Sequence, residues 1–351
     1  MAITAPDHAT DCDALIIGGG VNGTGLARDL ALRGLRTVLV ERNDLAFGAS
    51  GNSSGMIHGG PRYLTTHPAV TRASCTDSGY IQAIAPHMIF RIPFVYPLYG
   101  AGVADRVRFE AIEAFFAVYD EFQPLKRGLK HTRLTADEAE RVIPGLVTDK
   151  LMGAVTFDEW GINGARLCNA NALDAVEHGC TMHLHPTVEE VKVEAGRAVG
   201  ARVRDRITGR VWDISARAVV NCTGAWSPIT AACAGLAGKV KLRPGKGVHL
   251  MLDRSITDVG VMCTAIDGRQ IFLEPWENTA LIGTTDDDTY ADLDDLPVTT
   301  DEVRYLMEGI ERVLPRVREA RVIGTTVGAR PTLYAWGKAG GVADKVVMLA
   351  D

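Results

Sequence analysis

Three glycines spaced as Gly18-x-Gly20-x-x-Gly23 constrain this chain more than any other feature. They follow a short apolar run, Ala14–Ile17, that fits a buried parallel strand. They open a helical pattern from about Asn22 to Arg33, which Gly34 stops. A second strand, Thr37–Val40, ends at Glu41. Each part has a physical task in a dinucleotide site. Gly18 allows the tight turn from strand to helix, Gly20 lets the backbone approach a pyrophosphate, and Gly23 lets the helix pack closely on the sheet. The helix N-terminus offers free N–H groups and a partial positive charge to phosphate. Glu41 stands about 20 residues on, where a carboxylate accepts hydrogen bonds from ribose hydroxyls. A glycine-rich turn without a ligand shares the spacing, but not the strand before it, the helix after it and the acid in place. The pattern alone does not choose between NAD and FAD.

The next segment, Gly48–Leu64, reads GASGNSSGMIHGGPRYL. It resembles the flavin-contacting loop of the FAD-dependent glycerol-3-phosphate dehydrogenases, within the wider D-amino-acid-oxidase-like flavoproteins. The specific part is His58–Leu64, a His-Gly-Gly-x-Arg-Tyr-type sequence, with Pro61 where Leu or Ala is expected. CTGAWS, Cys222–Ser227, resembles the segment that closes over the adenosine half of FAD, with Thr223 and Gly224 at the matching positions. IFLEPW and LIGTTD, inside Asp267–Tyr290, match the same dehydrogenases. VGARPTLY, Val327–Tyr334, places Arg330 at a motif arginine. The likeness runs from about Asp11 to Tyr334.

The resemblance implies an α/β chain (α+β overall): a Rossmann-like FAD-binding domain interleaved with an antiparallel-sheet substrate domain. The FAD domain is expected over 1–85, 151–235 and 326–351, and the substrate domain over 86–150 and 236–325. The implied cofactor set is Gly18, Gly20, Val21, Asn22, Gly23, Glu41, Arg42, Ser50, Ser53, Ser54, His58, Gly59, Thr223 and Gly224. The implied reaction oxidises sn-glycerol 3-phosphate to dihydroxyacetone phosphate, with hydride passing from substrate C2 to flavin N5. A phosphate dianion in a partly dry pocket calls for forked, charged donors, which Arg supplies. Arg62 and Arg330 are the candidates, with Tyr63 beside the first. The alcohol proton must also leave, and His is the usual group near neutral pH. His249 is the candidate for substrate contact; His58 is expected to position the loop beside the flavin. A buried, merely structural histidine would look the same at either place.

The remaining sequence bounds the alternatives. The chain has 351 residues with a net charge of −6, which gives no basic footprint for nucleic acid. No apolar run reaches the roughly 18 residues of a membrane-spanning helix, and the first residues lack a basic and an apolar region of a signal peptide. The seven cysteines form no C-x-x-C pair, so they read as small buried hydrophobes in a reducing, cytoplasmic setting. His183 and His185 share a strand face without an evident third metal ligand, and Asp286, Asp287 and Asp288 read as an exposed turn before a cation site. The helical stretch Arg106–Phe122 has an acidic polar face, which favours core packing over a bilayer-surface role. The resemblance leaves the electron acceptor open: quinone, a partner iron–sulfur subunit, or oxygen. A quinone-linked member would touch the inner face of the cytoplasmic membrane.

The family continues into a Gly-Gly-Lys-x-Thr-type segment that returns to the flavin. Gly337–Lys345 holds Gly340-Gly341 but not that continuation. The expectation is that residues 1–351 alone bind FAD weakly and turn over little; full FAD occupancy and normal turnover would contradict it. The rival readings are a related amine or 2-hydroxy-acid oxidase, and an inactive flavin-binding fragment.

Overall fold

A computed structural model describes residues 10–65 and 68–333. In chain order the first half contains β1 (Thr10–Ile17), α1 (Val21–Leu32), β2 (Thr37–Glu41), α2 (Pro68–Ile84), β3 (Ile89–Tyr99), α3 (Val103–Tyr119), β4 (Arg133–Leu134), α4 (Ala136–Val142), β5 (Leu151–Ile162) and α5 (Gly164–Glu177). The second half contains β6 (Thr181–Leu184), β7 (Pro186–Glu194), β8 (Arg197–Asp205), β9 (Val211–Asn221), α6 (Ser227–Ala232), β10 (Leu242–Leu252), β11 (Gly260–Thr264), β12 (Gln270–Trp276), β13 (Thr279–Gly283), β14 (Asp287–Asp288), α7 (Thr300–Glu311) and β15 (Val322–Leu333). The mixed α/β class expected from the sequence is the one observed.

A six-stranded sheet runs β6-β2-β1-β9-β8-β7. Its first four strands are parallel, and β8 and β7 fold back antiparallel. β1 lies between β2 and β9 and is covered on both faces, which is why it reads as continuous apolar sequence. Ile16 and Leu39 pack with Ala27, Ala31, Ala172 and Ala175 of α1 and α5. Leu15, Val38 and Val40 face the opposite side, with Trp212 and Ile214.

A nine-stranded sheet runs β14-β10-β13-β12-β11-β3-β5-β4, with β15 on the other edge of β10. One face buries Val248, Leu250, Ile271, Leu273 and Ile282 under Leu306 and Ile310 of α7. Part of the other face carries Phe94 and Phe157 under Phe109 and Phe116 of α3. Pro93 and Pro97 lie inside β3, which has a partner on its second edge only at Phe94 and Val95. That edge leaves the missing proline N–H groups without consequence.

Val211–Asn221 is a single strand, β9. Thr299 caps α7, its side chain accepting from Glu302 N–H in a full capping box. The same device starts α4 at Thr135 and Glu138. Leu151–Ile162 and the stretch 326–333, both expected with the FAD-binding portion, pair in the nine-stranded sheet. Antiparallel ladders with β3 and β10 put them there. The expected stretch 334–351 and Gly337–Lys345 within it lie outside the described residues. No described helix is long and apolar enough to cross a membrane.

Candidate active site

The glycine turn is a cradle made by absent side chains. Gly18 N–H donates to the Val40 carbonyl at 2.9 Å, and Cys222 N–H to the Ile17 carbonyl at 2.8 Å, so β1, β2 and β9 end together. Gly18 has φ +113°, and a Cβ there would lie 2.5 Å from the Cys222 carbonyl oxygen. A Cβ on Gly23 would lie 1.9 Å from the Gly18 carbonyl oxygen. The Glu41 carboxylate accepts from Gly19 N–H and from Asn43 N–H, both at 2.7 Å. It therefore stands at the mouth of the turn, where ribose hydroxyls would meet it. Val21 N–H, at the start of α1, donates to Ser50 Oγ at 2.9 Å, and Asn22 beside it is exposed. These residues fit a dinucleotide: a helix N-terminus at the turn, glycines in the turn itself, and an acid at the strand end.

Beyond Glu41, Asp294 is a residue that the sequence did not single out. Arg42 forms an ion pair with it and stacks over the Trp226 ring at 5.5 Å. Trp226 Nε1–H donates to the same Asp294 oxygen at 2.9 Å. Thr223 Oγ1 donates to Asn221 Oδ1 at 2.6 Å, and Gly224 takes φ +54° to open the turn Gly224–Trp226.

The loop after Phe47 crosses to the second sheet. Asn52 Nδ2 ties it to the Phe47 carbonyl at 2.8 Å, Gly55 N–H donates to Ser53 Oγ at 3.2 Å, and Ser54 is half-buried beside them. A Cβ on Gly55 would lie 2.5 Å from the Trp276 ring, and one on Gly328 would lie 3.1 Å from Asn52 Cβ. Glycine on both partners lets loop and sheet touch. His58 Nδ1 accepts from Gly60 N–H at 2.8 Å. Arg62 and Tyr63 follow in a single 3-10 turn, Pro61–Tyr63, in which the Arg62 side chain lies outside the described residues.

On the sheet, His249 pairs with Gly283 on one side and Thr326 on the other. The ring covers Gly283, where a Cβ would lie 2.1 Å from His249 Cδ2. Arg330 lies over Gly247, on the same face, because residues alternate along β10 and β15. Its guanidinium donates to Asp286 and Thr284 Oγ1, both at 3.1 Å. His249 is buried, and neither ring nitrogen has a hydrogen-bond partner among the described residues; the same holds for Thr326 Oγ1. Burial, helped by Arg330, pushes the imidazole pKa down to about 3, so the ring is neutral near pH 7. Buried polar atoms without partners are rare, and a run of them marks where a polar ligand would sit. Glu274, farther along that face on β12, is fully buried with neither oxygen bonded. Burial pushes its carboxyl well above the usual range.

The structure thus brings His249 and Arg330 to one face, and Gly18, Gly20, Gly23, Glu41 and Ser50 to one turn. Asp286, Asp287 and Asp288 are engaged by Arg330, Arg269 and Arg243 at 3.1, 3.3 and 3.2 Å. His183 packs edge-on against Trp212 at 5.6 Å. Sequence reasoning missed Lys126 and Glu159, which lie wholly buried behind Gly59. The available signal was a pair of acids, Asp158-Glu159, inside an otherwise apolar strand.

Known proteins are similar to this chain in sequence and in fold. The chain is 34% identical over 326 residues to a glycerol-3-phosphate dehydrogenase of Mycobacterium leprae, covering 92% of this chain and 55% of that protein. It is 33% identical over 323 residues to one of the subunits of the anaerobic glycerol-3-phosphate dehydrogenase of Escherichia coli K12, covering 91% of this chain and 57% of that protein. The crystal structure of the glycerol-3-phosphate dehydrogenase from Bacillus halodurans complexed with FAD superposes with a TM-score of 0.72 at 27% identity, over 92% of this chain and 57% of the other. The chain spans about half the length of the curated relatives it matches. The family model of the FAD dependent oxidoreductases (DAO) matches residues 13–346. The chain belongs to this FAD dependent oxidoreductase family, and FAD is the cofactor that its glycine cradle fits.

Proposed function

We propose that this chain carries the FAD and substrate sites of a dehydrogenase that oxidises sn-glycerol 3-phosphate to dihydroxyacetone phosphate. The observation that carries the reading is a guanidinium and a neutral imidazole, Arg330 and His249, on one face of the sheet beneath the Phe47–Gly60 loop. The M. leprae and E. coli relatives support the substrate.

Arg330 presents a fork that suits two phosphate oxygens. Thr284 and the Thr285 carbonyl hold it in plane, and a bound dianion competes with Asp286 for it. Arg62 is proposed as the second donor. His249 is proposed to take the proton of the substrate hydroxyl. Its ring is neutral, as an acceptor must be. A dianion on Arg330 removes one of the two causes that hold its pKa down. When bound, FAD supplies the acceptor for the hydride that leaves substrate C2. Glu41 and the N-terminus of α1 orient the ribose and the pyrophosphate. His58 braces the loop rather than reacting. In this reading the six-stranded sheet carries the cofactor and the nine-stranded sheet carries the substrate face. Electrons then leave to quinone or to a partner iron–sulfur protein; the E. coli relative is by name one subunit of its enzyme, which favours a protein partner.

A dye-coupled assay with FAD-supplemented protein tests this. Glycerol 3-phosphate is expected to reduce the dye, and glycerol and glycine are not. Reduction by glycine but not by glycerol 3-phosphate would replace the reading with an amine oxidase.

A further inference from the structure

The His58-Gly59-Gly60 segment rests on a buried charged cluster that no other part of the site uses. Glu159 Oε2 accepts from Gly59 N–H at 3.0 Å. The same oxygen meets Lys126 Nζ at 2.8 Å. Glu159 Oε1 accepts from Tyr119 OH at 2.9 Å. Lys126 Nζ also donates to the Asp158 carbonyl and lies 4.9 Å from the centre of the Tyr119 ring. The Lys126 carbonyl accepts from Gln82 Nε2 at 2.7 Å and from Trp160 Nε1 at 2.8 Å. The segment is pressed onto this cluster: a Cβ on Gly59 would lie 2.2 Å from Tyr119 OH. Cys75 Sγ and Thr71 Oγ1 reach the Gly59 and Gly60 carbonyls at 3.7 and 3.2 Å.

A buried ion pair is a poor source of stability, because apolar residues of similar volume serve the core as well. What Glu159 offers, and an apolar residue does not, is an acceptor for the Gly59 N–H. That donor belongs to no helix or strand and would otherwise be buried without a partner. The remaining Gly60 N–H goes to His58 Nδ1, so the cluster also fixes how the imidazole is turned.

We propose that Glu159, Lys126 and Tyr119 are positioning residues: they set the backbone from His58 to Arg62, and through it the fit of the FAD-facing loop. The proposal rests on the reading of that loop given above. No redox or proton step is assigned to the cluster.

The test uses the full chain and two readouts: amide exchange over residues 56–64, which needs no ligand, and FAD affinity by fluorescence quenching. Glu159→Leu with Lys126→Met removes both charges and the acceptor. It is expected to raise exchange at Gly59 at least tenfold and to weaken FAD affinity at least tenfold. Glu159→Gln with Lys126→Met keeps an acceptor oxygen and is expected to recover most of both losses. A folded Leu/Met variant with exchange and affinity within twofold of the parent overturns the proposal. If that variant does not fold, Tyr119→Phe removes only the hydroxyl that donates to Glu159 Oε1; a threefold or larger rise in exchange at Gly59 and Gly60 supports the proposal, and no change overturns it. Should the parent bind FAD but ignore glycerol 3-phosphate, the substrate reading fails while both readouts still decide this one.

Discussion

Gly23 faces Gly18 so closely that a Cβ on Gly23 would stand 1.9 Å from the Gly18 carbonyl oxygen. Helix α1 is thus seated on the turn that feeds it. Gly23→Ala is expected to push α1 off this seat and to abolish retention of FAD on gel filtration. Gly25, two residues on, has open space around its α-carbon within the same helix. Gly25→Ala is expected to stabilise the fold by about 0.5–1 kcal/mol, the usual helical gain. Urea unfolding of both variants separates close packing from general dislike of a methyl group.

Asp294 holds Arg42 and the Trp226 indole with a single oxygen. It reaches from the segment after β14 to the end of β2. Asp294→Ala is expected to speed FAD dissociation about fivefold, the equivalent of roughly 1 kcal/mol for a part-exposed pair. The difference should shrink as salt is added. Stopped-flow displacement at low and high salt checks both points.

His249 gives a pH signature with a definite sign. Its folded-state pKa, about 3, lies below the ordinary histidine value of 6.5. Between these values the unfolded chain binds a proton that the folded chain does not. The stability contributed is present above pH 6.5 and is lost as pH falls towards 3, with a slope of up to ~1.4 kcal/mol per unit. Between pH 7 and pH 5 the loss is about 2 kcal/mol. His249→Asn is expected to lose this part of the slope, and unfolding curves at the two pH values measure it.

Glu274 has the opposite sign. Burial raises its folded-state pKa, so its contribution is lost as pH rises above the unfolded carboxyl value. Glu274→Leu replaces a buried, unbonded acid with an apolar group of similar size. The variant is expected to be more stable than the parent at pH 7 by about 1–3 kcal/mol, and by less at pH 4. A thermal-melt series over that range checks this.

Arg330→Lys keeps the charge but loses the fork. The Michaelis constant for glycerol 3-phosphate is expected to rise about 10- to 100-fold, in line with loss of a bidentate, charge-assisted pair. Steady-state kinetics on glycerol 3-phosphate report it.

Local chemistry made much of this legible in the sequence. The glycine turn, the strands beside it and Glu41 could be read because each needs only its neighbours in sequence. What the sequence hid depends on distant pairings. Leu151–Ile162 joins the second sheet because β3, more than fifty residues away, offers it a full antiparallel ladder. Asp294 gains its meaning from Arg42 and Trp226, far along the chain. Lys126 sits in a proline-containing turn without periodicity, and only folding brings it to Glu159. Arg330 and His249 were legible as residue types in motifs; their shared face follows from the β10–β15 register.

Anaerobic mixing with glycerol 3-phosphate tests the central claim most directly. The full chain, loaded with FAD, is followed by the visible absorbance of the flavin. The account predicts bleaching by glycerol 3-phosphate and none by glycerol or glycine. A chain that holds FAD, yet whose flavin stays oxidised with glycerol 3-phosphate while glycine bleaches it, would contradict the account.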